Sequence, residues 1–162
     1  MWVASWTGWR SSRMQHTISA LQSLRTDREY ITAGTIVKRR HPPTGKKISD
    51  DILDELLNPR LNADDNPEKP TFAESVDFIL NQYEFLALAV RKGVMDEAML
   101  RQTIRGSVCG LVESFAPYLK ARRQQNAQIG ENLIWLYLRF TDKRGFDLPD
   151  IGPLDGLSPP KP

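Results

Sequence analysis

Glu84 is the residue best placed to do chemistry, because it sits beside Tyr83, Phe85 and Leu86 in an apolar run, with Asn81 and Gln82 just before it. A carboxylate among such neighbours must be desolvated, protonated or paired. One role open to it is that of a general acid or base. The spacing favours the other, a buried structural pair with Arg101 or Arg105, which the short turn from Gly93 to Met95 would bring alongside. Removing one member of such a pair costs about 3–5 kcal/mol, since the surviving charge keeps no partner.

The remaining reactive side chains do not assemble into a site. His16 and His41 fall in different segments, and the single Cys, Cys109, lies beside Val108 and close to Leu111, as a buried inert thiol would. The chain carries no Gly-rich phosphate loop, no H-E-x-x-H and no G-x-S-x-G. The sequence therefore points away from an enzyme and implies neither cofactor nor metal. One Cys also excludes an intrachain disulfide framework, which fits a reducing, cytoplasmic setting.

Three surface motifs could instead contact a partner. Trp2, Trp6 and Trp9 share one face if helical and are followed by Arg10 and Arg13, the order of a membrane-interface anchor or of a rim closing over a partner. Lys38, Arg39 and Arg40, with Lys46 and Lys47 nearby and Arg122-Arg123 further on, could neutralise phosphates, but they lack the interleaved aromatics of a nucleic-acid surface. Asp50, Asp51, Asp54, Asp64 and Asp65 form an acidic stretch able to compete with phosphates for a partner's Arg and Lys.

Charge is segregated along the chain. The net of +2 over 162 residues hides +7 in residues 1–47, −8 in 48–99 and +5 in 100–145. Basic and acidic helices packed side by side, or a bipolar docking surface, would both produce this. With 40% hydrophobic and 26% charged residues the composition is that of a soluble globular domain. The longest apolar run, Phe85 to Val90, is far short of the roughly 18 residues that span a bilayer, and no signal-peptide pattern opens the chain.

The elements that must position these residues are helical. Met14, Ile18, Leu21 and Leu24 hold a helical period that ends near Arg25. Thr26 and Glu29 then have capping-box spacing ahead of a helix that stops before His41-Pro42-Pro43. Ser49 and Asp50 can cap a short helix, ended by Asn58-Pro59 and followed by a Pro-containing loop. Thr71 and Glu74 box the longest apolar segment, through to Lys92, with Gly93 as the left-handed residue after it. Asp96 caps the next, on which Gly106, Gly110 and Ser114 form a small-residue stripe suited to close helix–helix approach. Pro117 breaks or kinks that helix, and a last one spans about 127–142, ended by Gly145.

The expected fold is all-α: about six helices built around an antiparallel hairpin of 71–92 and 96–116. The organisation expected is a Trp-rich segment over 1–10, one helical domain over 11–145, and a Pro-rich tail over 146–162 with little to pack.

The hairpin from Asn81-Gln82-Tyr83-Glu84 through Gly93 to Asp96-Glu97 resembles the signature of a bacterial and phage family catalogued as domain of unknown function 4760. The similarity continues through Leu100 to Gly106 and backward to Thr26-Asp27, and covers about residues 11–145. It implies a small helical domain without an assigned activity, frequent in prophages. Many relatives carry a transmembrane helix where this chain has only Met1 to Trp9. Together these features predict a non-enzymatic, cytoplasmic interaction protein that modulates a host process such as antiviral defence through a host protein. The alternatives are a peripheral membrane protein held by the Trp face and a nucleic-acid binder using the basic clusters.

Overall fold

The computed structural model describes residues 3–43, 45–59, 70–141 and 148–154, with side chains from Gly8 onward. Trp2, Asp64, Asp65, Gly145, the Trp6 side chain and the loop over 60–69 lie outside the described residues. Within them the chain forms seven helices and no strand: α1 (Val3–Thr26), α2 (Arg28–Arg40), α3 (Asp50–Leu57), α4 (Phe72–Arg91), α5 (Glu97–Ser114), α6 (Ala116–Gln125) and α7 (Glu131–Phe140). The all-α expectation holds, with one helix more than the six anticipated.

Local chemistry sets most of the boundaries. Thr71 and Glu74 close a full capping box at the start of α4, the Thr71 amide donating to Glu74 Oε2 at 2.7 Å. Gly93, at φ 73°, makes the turn after α4 in a conformation that a side chain disfavours. Asp96 accepts from the Met99 amide at 2.9 Å and starts α5. Ser49 does the same for α3. At the start of α2 the cap is Asp27 rather than Thr26, because the Thr26 hydroxyl bonds back to the carbonyls of Gln22 and Ser23 and stays in α1. The break before α6 falls at Phe115, and Pro117 then occupies the first turn of α6, where its missing amide costs nothing.

The last helix is shorter than 127–142. Gly130 takes φ 66°, so the helix begins only at Glu131, and Ile129 belongs to the preceding turn. It ends at Phe140, before the undescribed Gly145. Leu133, Ile134, Leu136, Tyr137 and Phe140 are all fully buried, making α7 the spine of the core.

Packing departs from simple sequence adjacency. Helix α7 packs on both α4 and α5, while α4 and α5 touch each other only slightly. On its other flank α4 packs on α2. One turn-to-helix tie anchors α1: Arg13 donates to the Met95 carbonyl at 3.1 Å, and the buried Thr17 hydroxyl accepts from the Asp96 amide at 2.8 Å. Two of the apolar positions that define its period, Met14 and Ile18, stay exposed.

The C-terminal tail has more to pack than its Pro content suggests. Ile151 is buried, and Leu148 and Leu154 rest against the core. Arg123, itself buried on α6, donates to the carbonyls of Ile129 and Pro153, tying the α6–α7 turn and residues 148–154 to one guanidinium. Desolvation lowers its pKa from the ordinary arginine value, and those two carbonyls supply the hydrogen bonds that burial takes away.

Candidate functional site

Glu84 meets α7 rather than α5. Its Oε1 accepts from the Asn132 amide at 3.0 Å and from the Asn132 side chain at 2.7 Å, and its Oε2 accepts from the Leu133 amide at 2.7 Å. Gly130, the residue at the α7 N-cap, has no side chain to offer, so a carboxylate from a neighbouring helix satisfies the first amides of α7. The placement also opposes a full negative charge to the positive end of the α7 dipole. Arg101 and Arg105, the partners expected from sequence, are exposed on α5. The expected buried pair is thus corrected to a cap across the α4–α7 interface, a structural role for Glu84.

The largest cavity among those described lies between α2 and α5, over α4, with a volume of about 650 Å³, within the size range of ligand and peptide sites. Ile79 and Tyr83 of α4, with Val37 of α2 and Leu111 of α5, give it an apolar floor. Its walls are bare: Gly34 on α2 and Gly106 and Gly110 on α5 all line it, and a Cβ at any of the three would meet nothing within 4 Å. The small-residue stripe therefore does not serve close approach of two helices of this chain, as its spacing suggested. It faces open space.

Polar groups converge on the same cleft. The Tyr30 and Tyr83 hydroxyls are 3.0 Å apart, and burial, then the bond to Tyr83, pushes the Tyr30 phenol well above the usual tyrosine range. His41 and Cys109, remote in sequence, both line the cleft. His41 sets its ring edge-to-face on Phe115 with Nδ1 2.7 Å from the Pro42 carbonyl, which holds it as a wedge at the end of α2. Glu113 accepts from the Tyr137 hydroxyl at 3.2 Å. Lys38 stands at the mouth, and Lys46 follows the lining Gly45, both exposed. Among the described residues no three His, Cys, Asp or Glu converge to hold a metal.

The surface motifs divide. Arg40 is committed to the fold, pairing both guanidinium nitrogens with Glu55 of α3 and stacking over Phe72 at 4.3 Å, whereas Lys38 and Arg39 are exposed. The basic cluster is thereby reduced to two side chains available for phosphates. Asp50, Asp51 and Asp54 are exposed on α3, the first two in its first turn where the dipole favours acids. Trp9 is 55% exposed with the Arg13 guanidinium 4.6 Å above its ring, and Arg10 is exposed beside it. No described helix is long and apolar enough to cross a membrane.

Sequence reasoning missed the cleft because its lining comes from two helices that do not touch. Only the glycine stripe signalled it, and that signal was read with the opposite sign. Missed too was Phe85, placed by sequence on a helix packed all round and found 68% exposed on α4.

A family profile described as "Domain of unknown function (DUF4760)" matches residues 1–140. No curated protein and no solved structure matches the chain.

Proposed function

Given that this chain belongs to the family described as domain of unknown function 4760, we propose that it is a non-enzymatic helical interaction module that receives a protein partner in the α2–α5 cleft. One observation carries the reading: three helix-interior glycines line that cleft with nothing of their own chain against them. A glycine inside a helix costs about 1 kcal/mol relative to alanine. No contact within the fold gains from that cost, so an approaching backbone from outside is its natural beneficiary. The resemblance to bacterial and phage proteins supports a setting in which the partner is a host protein and the process an antiviral defence.

Affinity capture with the full chain, from nuclease-treated and detergent-solubilised host extract, tests this. A stoichiometric protein should be retained by the natural chain and lost when Gly106→Leu and Gly110→Leu fill the cleft. Identical partner sets for the two chains would overturn the assignment to the cleft.

A second reading, peripheral membrane attachment, is favoured by the exposed Trp9 beneath Arg13, with Met14 and Ile18 exposed on the same helix. It requires flotation with anionic vesicles that weakens when Trp2, Trp6 and Trp9 become serine. Equal flotation of the two chains removes it.

A further inference from the structure

From the charge and shape of the cleft we infer that its occupant is an acidic amphipathic helix of a partner protein, an assignment that rests on the interaction reading above and specifies its chemistry. Shape argues for a helix. Gly106 and Gly110 lie one turn apart and bare a strip of α5 backbone about 6 Å long, close to one helical pitch. Gly34 bares α2 on the opposite wall. Two glycine-faced helices flanking an apolar floor of Ile79 and Tyr83 form the groove into which the side-chain ridge of a third helix packs, with backbones close because no Cβ intervenes.

Charge argues for acid. Lys38 lines the mouth and Lys46 follows it in the adjoining loop, both exposed. The carboxylate on the cleft wall, Glu113, already accepts a hydrogen bond from Tyr137. The tyrosine pair adds a donor: two hydroxyls 3.0 Å apart share one proton between them. The other proton is left for whatever fills the cleft. Tyr83 is 93% buried by the complement of its 7% exposure, so that pair sits at the floor and not at the rim. A helix bearing apolar residues at i, i+3 and i+4, flanked by Glu or Asp, would set its apolar ridge on the floor and its carboxylates against Lys38 and Lys46.

Cys109 gives a direct reporter, because it lines the cleft and is the only Cys in the chain. The rate of its modification by a thiol reagent is measured on the full chain with two helical peptides of identical apolar face, one flanked by Glu and one by Lys. The Glu peptide should slow modification saturably, with an apparent affinity that falls as salt rises and drops about tenfold in Lys38→Glu. Equal protection by the two peptides, or protection by benzoate alone, would overturn the assignment. If a captured partner shields Cys109 while the Glu peptide does not, the acidic helix is wrong and the interaction reading stands. Shielding by neither removes both.

Discussion

The α4–α7 interface and the α2–α5 cleft share one helix and follow opposite rules. At the first, Glu84 spends both carboxylate oxygens on the amides of Asn132 and Leu133, and the neighbouring side chains of α7 are fully buried. At the second, three glycines stand against open space and a hydroxyl pair holds a proton in reserve. Where the fold needs closure, polar groups are satisfied across helices. Where it stays open, helix propensity is sacrificed without an internal return, and the comparison locates function in the cleft rather than at the buried carboxylate.

Alkaline pH should break the closed side most severely. Burial, then a hydrogen bond to Asp77, pushes the Tyr118 phenol above its ordinary value, and burial, then the charge of Glu113, does the same to Tyr137. Because the folded values lie above the unfolded value near 10, the folded state holds these protons longer. Stability is complete below about pH 10 and falls above it, by up to about 3 kcal/mol per pH unit for two such groups. Denaturant titrations between pH 8 and 11 should show this slope, and its absence would mean the phenols are not buried as described.

Next in size is Glu84→Ala. It leaves the first amides of α7 without an acceptor and should lower stability by about 3 kcal/mol, with Glu84→Gln costing less because an amide oxygen still accepts. Urea unfolding measures both. A loss of partner capture by a Glu84→Gln chain that remains folded would instead place function on the closed side.

Smaller is the loss of the tail anchor. Arg123→Met removes the donor to the Ile129 and Pro153 carbonyls and should cost about 2 kcal/mol. Hydrogen exchange should rise together in residues 128–132 and 148–154. Exchange confined to one of the two segments would show that the guanidinium does not couple them.

Smallest, and opposite in sign, are the cleft glycines. Gly34→Ala, Gly106→Ala and Gly110→Ala should each raise stability by about 1 kcal/mol, read from the shift in urea midpoint. A fall at any one would show that the fold itself uses that glycine.

Much of the helix framework was legible in the sequence because caps are local. The Thr71–Glu74 box, the Asp96 and Ser49 caps and the Gly93 turn each depend on residues within one turn of each other. What depends on packing was not legible. Glu84 was assigned to the helix next in sequence, yet it caps the helix next in space, and nothing local distinguishes the two. The stripe of Gly106, Gly110 and Ser114 reads alike whether another helix fills it or none does. Tethering of residues 148–154 depends on one arginine reaching two carbonyls 6 and 30 positions away, a relation without periodic signature. The tyrosine pair joins residues 53 positions apart and was invisible for the same reason.

The most direct test of the account measures stability and partner capture on one protein, Gly106→Ala/Gly110→Ala. The account predicts a thermal midpoint raised by about 4–8 °C, the equivalent of about 2 kcal/mol for a chain of this size, together with weakened capture. A lowered midpoint, or a raised midpoint with capture unchanged, would contradict the claim that these glycines are held open for a partner.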